Sequence, residues 1–150
     1  MGAEKKLSSK DELTTAVIDN GIETWEELTE FVKALPYGRN SNRTELVLVI
    51  EEKKGSCSSK HALLKKVAEL HNIKDIKLIL GIYRMNQENT PQIGTVLSDC
   101  PIDYIPEAHC YLKINGKRTD MTSNHSEIGK IENDIIQEIE ILPYQVAEFK

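Results

Sequence analysis

The feature that most constrains this chain is a two-residue turn. Asn115-Gly116 separates the alternating run 107–114 from the run 117–122. Asn-Gly between two such runs is the strongest short-range hairpin signal, because the tight turn needs positive φ at both positions. A two-residue turn also sets the register. Ile114 then faces Lys117, Leu112 faces Thr119, Tyr111 faces Asp120 and His109 faces Thr122. Side chains alternate across a strand. Cys110, Leu112, Ile114 and Met121 therefore share an apolar face, and His109, Tyr111, Lys113, Arg118, Asp120 and Thr122 share the other. On that second face His109 and Asp120 are diagonal neighbours, about 7–8 Å apart at the backbone and within side-chain reach. A slip of one residue would put them on opposite faces. The spacing thus places a carboxylate where it can orient an imidazole.

A second stretch supplies a nucleophile. Gly55-Ser56-Cys57-Ser58-Ser59-Lys60-His61 leads into Ala62, Leu63, Leu64, Val67, Ala68 and Leu70, an apolar stripe at helical spacing. Ser56 or Ser58 can cap this helix, predicted over about 58–71. Cys57 then stands at a helix N-terminus, where unpaired N–H groups and the dipole favour an anion. A thiol there ionises more readily, its pKa falling from about 8.5 to roughly 3.5–7.5. Gly55 leaves room for a substrate or a left-handed turn. Cys57 as nucleophile, His109 as proton carrier and Asp120 as its orienting carboxylate form a consistent triad. His61, one helical turn after Cys57, is a rival base without an obvious carboxylate. A buried structural cysteine and a solvated hairpin face are the plainer alternatives.

The remaining elements frame these two. Ser9 to Glu12 fits a capping box ahead of Leu13, Ala16 and Val17, and Asn20-Gly21 ends that helix. Thr24 to Glu27 is a second capping box, with Leu28, Phe31, Val32 and Leu35 as the buried face and Pro36 as the stop. Residues 37–43 form a polar loop. Leu46 to Ile50 reads as a short buried strand, and Ile76 to Met85 as a strand too apolar on both faces to be an edge. Residues 86–95 and 98–106 read as irregular connections. Residues 125–132 read as loop or a turn of helix, Ile135 to Leu142 as a last strand wet at Gln137, Glu138 and Glu140, and Pro143 as the start of a terminal helix. The expected fold is a single α+β domain. N-terminal helices (1–36) cover a core (37–122) in which a cysteine-bearing helix packs on a mostly antiparallel sheet, and a strand and helix (123–150) close it.

Composition excludes several classes. With 24 acidic and 19 basic residues the net charge is −5, which offers no footprint for nucleic acid or an anionic membrane. No apolar run approaches the roughly 20 residues of a membrane helix. The first residues lack a signal-peptide apolar region. Three cysteines make no disulfide framework, which points to the cytoplasm. Cys57, His61, His109 and Cys110 could be read as zinc ligands, but His109 and Cys110 point to opposite strand faces and no paired C-x-x-C occurs.

Gly55-x-Cys57 opening a helix, Ala108-His109-Cys110-Tyr111-Leu112, and Thr119-Asp120-Met121-Thr122 together resemble the transglutaminase-like superfamily, a broad group sharing a papain-like Cys-His-Asp core. The resemblance spans residues 37–122. Tyr37-Gly38-Arg39, the run 57–61 and the run 106–112 are also similar to small uncharacterised bacterial members. It implies a transglutaminase-like fold and acyl transfer or hydrolysis on an amide or ester through a Cys57 thioester, with the Cys57 backbone N–H in the oxyanion hole, and no cofactor or metal. Two departures matter. The aromatic after the histidine is Tyr111 rather than tryptophan, and the tryptophan upstream of the cysteine is absent. Tyr37 is a substitute oxyanion donor, with Tyr111 a further candidate. Lys113 and Arg118 are candidates to hold a substrate carboxylate. The expected partner is a small peptide-like substrate. The alternative is a non-catalytic binding module on the same scaffold.

Overall fold

The computed structural model describes residues 5–8, 10–91, 104–126 and 128–147. The element order is α1 (Glu12–Asp19), α2 (Trp25–Ala34), α3 (Val47–Glu51), α4 (Cys57–Leu70), β1 (Ile76–Met85), β2 (Ile105–Ile114), β3 (Lys117–Thr119) and β4 (Ile135–Glu140), with 3-10 turns at Ile128–Lys130, Glu132–Asp134 and Pro143–Ala147. The architecture is α+β, with an antiparallel four-stranded sheet in the order β3-β2-β1-β4. β1 is central, as its two apolar faces require.

Local chemistry accounts for most boundaries. Thr24 and Glu27 form the expected capping box at α2. At α1 the cap is Asp11, whose side chain accepts from Thr14 N–H; Ser9 lies outside the described residues. Asn115 and Gly116 take φ of 52° and 81°, and Leu112↔Thr119 and Ile114↔Lys117 pair as predicted. The strand expected at Leu46 to Ile50 is instead the short helix α3. A continuous apolar run of this length carries no period, so strand and buried helix look alike in it; Val49 and Ile50 reach the core from helical backbone. β2 starts earlier than expected, with Ile105 and Pro106 already paired to Met85 and Arg84. The terminal helix at Pro143 is only a 3-10 turn.

The core lies between α4 and the sheet. Ala62, Leu63, Leu64, Val67 and Ala68 share one buried cluster with Leu78, Leu80, Cys110 and Leu112. α2 covers another side of α4, and Trp25 Nε1–H donates to Leu64 O at 2.9 Å. Among the described residues, no helix is long and apolar enough to cross a membrane.

Candidate functional site

α4 begins at Cys57 because Ser56 closes a capping box with Ser59. Ser59 N–H donates to Ser56 Oγ at 3.3 Å, and Ser56 N–H donates to Ser59 Oγ at 2.8 Å. The cysteine is thereby held at the positive end of a 14-residue helix. Cys57 is 5% exposed, and its side chain is hydrogen-bonded to His109.

His109 stands on β2 opposite Gly81. Its Nε2–H donates to Asp120 Oδ2 at 2.9 Å, which leaves Nδ1 for the thiol. The other Asp120 oxygen accepts from the Thr122 N–H at 2.9 Å and from the Thr122 hydroxyl. Both carboxylate oxygens are engaged, so the group cannot swing away from the ring. The ladder itself does not deliver this contact. β3 stops at Thr119, and the expected pairs Tyr111–Asp120 and His109–Thr122 do not form. Beside His109 the chain leaves the sheet and turns toward α4, where Met121 N–H donates to His61 Nε2 at 2.8 Å.

Burial, the largest single influence on His109, pushes its pKa down. The Asp120 carboxylate and the Cys57 thiolate outweigh that, and the imidazole is pushed up to about 9. Burial alone would raise Asp120, but the hydrogen bond and charge of His109 and the bond from Thr122 hold it well below the usual carboxylate range. At neutral pH the arrangement favours an imidazolium between the Asp120 carboxylate and the Cys57 side chain.

The other sequence candidates fare differently. His61 is wholly buried, and both ring nitrogens are committed: Nε2 accepts from Met121, and Nδ1 lies 2.7 Å from Cys57 O. It has no lone pair to offer the thiol, and burial pushes its pKa down. It does have a carboxylate nearby, since Asp120 Oδ1 is 3.9 Å from Nε2. Tyr111 does not face solvent but is fully buried. Its hydroxyl donates to Glu138, and burial with the Glu138 charge raises its pKa. Lys113 Nζ and Arg118 Nε also donate to Glu138, at 2.7 Å and 2.9 Å. Arg118 also pairs with Glu132 at 3.4 Å, so both cations already have carboxylate partners within the chain. Tyr37 meets Gly55 through a backbone bridge, but the residue is 63% exposed and its side chain makes no hydrogen bond among the described residues. Gly55 has no left-handed φ; a Cβ there would lie 2.9 Å from Lys60 Cγ and 3.0 Å from Ser59 Oγ. Among the described residues no group of His, Cys, Asp and Glu is arranged to hold a metal ion, so the zinc reading has no ligand set there.

Two residues carry more than the sequence reading gave them. Glu138, expected on the wet side of β4, gathers three donors because the sheet order puts β4 next to β1. Lys60 is fully buried. Its signal was present: Cys57, Lys60, His61 and Leu64 fall at i, i+3, i+4 and i+7, the stripe a packed helix buries. Comparison of the chain with family models, with curated proteins and with solved structures returns no match.

Proposed function

We propose that this protein is a thiol-dependent acyl hydrolase or acyltransferase acting on the amide or ester carbonyl of a small peptide-like substrate. The observation that carries the reading is His109, bonded to Asp120 through Nε2 and hydrogen-bonded to the Cys57 side chain at the start of α4.

In this scheme the Cys57 thiolate attacks the carbonyl carbon, and a C–S bond forms as the carbonyl π electrons move to oxygen. The oxyanion develops at the N-terminus of α4, where first-turn N–H groups and the helix dipole favour negative charge. Collapse breaks the bond to the amine or alcohol, which leaves with the proton from His109 Nδ1. Water or a primary amine then attacks the thioester, His109 takes its proton, and the Cys57 thiolate is expelled. Asp120 keeps the ring oriented and stabilises its charged form throughout. No step calls for a cofactor. The resemblance to the transglutaminase-like superfamily belongs with this proposal, since it names the same three residues in the same order.

The test is alkylation of the folded protein by iodoacetamide at pH 7, with mass mapping of the three cysteines. Cys57 should react at least about tenfold faster than Cys110, which is 1% exposed on the core side, and His109→Ala should remove the difference. Equal rates in the wild type would refute the nucleophile and favour a binding module.

A further inference from the structure

We propose that Lys60 and His61 are positioning residues that fix the Asp120 turn to the helix carrying Cys57. This rests on the thiol chemistry proposed above and concerns what holds its carboxylate.

Asp120 needs such a support. It lies past the end of β3, so no ladder hydrogen bond places it. The support comes from two adjacent residues of α4. His61 spans the gap with both ring nitrogens. Met121 N–H donates to Nε2 at 2.8 Å, so that nitrogen is an acceptor and the ring proton resides on Nδ1. Nδ1–H then donates to Cys57 O at 2.7 Å. One neutral imidazole therefore links the backbone of the nucleophile to the residue after the carboxylate. Lys60 does the same one residue further along. Its Nζ donates to Thr122 O at 2.7 Å and to Leu35 O at 2.6 Å. Thr122 is the residue whose N–H and hydroxyl hold Asp120 Oδ1. The chain 120–122 is thus tied to α4 at two consecutive residues.

The Lys60 arrangement is an expensive one for a merely structural contact. Its side chain is 0% exposed, and no carboxylate lies within ion-pair distance among the described residues. A buried charge held by carbonyls alone costs free energy that an apolar side chain would not. Burial pushes its pKa down, and the Asp120 carboxylate opposes that. Gly55 belongs to the same device, because a Cβ at 2.9 Å from Lys60 Cγ would displace the lysine stem. Cys57, Lys60 and His61 stand at i, i+3 and i+4, so one helix face carries the nucleophile and both supports.

The sign of one measurement separates positioning from direct electrostatics. The imidazole of His109 is followed by NMR from pH 5 to pH 10 in the full chain, with circular dichroism as the folding control. Deleting a nearby cation would by itself favour the imidazolium and raise the His109 midpoint. If Lys60 acts by placing Asp120, Lys60→Met lowers the midpoint by about one unit or more, as Asp120→Asn does. His61→Phe, which leaves the Met121 N–H without its acceptor, lowers it too. Lys60→Met combined with Asp120→Asn falls no further than Asp120→Asn alone, because the lysine acts through the carboxylate. An unchanged or raised midpoint in either folded variant, or an additive double variant, overturns the proposal. Should the variants not fold, the wild-type spectrum decides. His61 must remain neutral with its proton on Nδ1 across the range, and a ring that titrates or is protonated on Nε2 overturns it. Cys57 alkylation is read separately. A slow wild-type Cys57 removes the acyl chemistry and leaves the His109 result standing, and the reverse outcome removes only the positioning.

Discussion

Gly81→Ala should be the most damaging single-methyl change in the sheet. In register, Gly81 stands between His109 of β2 and Glu138 of β4. The Tyr111 ring crosses over it to deliver its hydroxyl to Glu138. A Cβ on residue 81 would lie 2.6 Å from Tyr111 Oη, 2.7 Å from Cε2 and 3.0 Å from Cζ. The ring is fully buried and cannot move aside without repacking. Overpacking of this kind costs about 1–3 kcal/mol. Displacing the hydroxyl from a carboxylate adds about 1.5–3 kcal/mol. The reduced entropy of the unfolded alanine chain offsets roughly 0.4–1 kcal/mol. The expected net loss is about 1.5–5.5 kcal/mol, read from urea unfolding by a lower midpoint at unchanged slope. Gly129→Ala is the control, since a Cβ there meets nothing within 4 Å, and its effect should stay within about 0.5 kcal/mol. Combining Gly81→Ala with Tyr111→Phe should recover part of the loss, because the contact at 2.6 Å disappears and the one at 2.7 Å remains. The Tyr111 ring lies 6.2 Å from the His109 ring between centroids, so the variant should also disturb the His109 titration. A Gly81→Ala protein as stable as Gly129→Ala would refute the account of why β1 carries a glycine there.

Two further outcomes follow from the charged groups. His109 has a folded pKa of about 9 against 6.5 for the free group, so its contribution, of order 3 kcal/mol, is complete below pH 6.5 and lost as pH rises through about 9. Unfolding measured from pH 6 to 10 should show that decline in the wild type and a shallower one in Asp120→Asn, and identical slopes would contradict the assignment. Glu138 is held down to about 2 by Arg118, Lys113 and Tyr111 against the opposing effect of burial, so its contribution is present above about pH 4.5 and lost as pH falls toward 2. Glu138→Gln should cost about 1–3 kcal/mol at pH 7 and progressively less in acid, and a cost independent of pH would show that the carboxylate charge is not what holds the cluster.

Local chemistry made part of this protein legible in its sequence. The Asn115-Gly116 turn permits few backbone geometries, so the pairs Leu112–Thr119 and Ile114–Lys117 could be written down before any fold was known. The capping box at Thr24, the cysteine at the head of α4 and the central strand Ile76–Met85 rest on interactions within a few residues, or on burial of both faces. The proximity of His109 and Asp120 was legible for the same reason, although the contact is made beyond the ladder from which it was inferred. Other features needed partners distant in the chain. Leu46 to Ile50 has no period to read, and its packing against α1 and α4 decides that it is helical. Tyr111 and Glu138 are 27 residues apart, and the bond between them exists because β1 lies between β2 and β4 with a glycine at the crossing point. The helical spacing of Lys60 and His61 with Cys57 and Leu64 marks a buried stripe, but their partners Thr122 and Met121 come from 62 and 60 residues away. Short-range hydrogen bonding and the period of apolar residues are properties of the sequence. Which polar groups meet in the interior is a property of the chain's return on itself, because a buried polar side chain is stable only beside a partner that the fold brings to it.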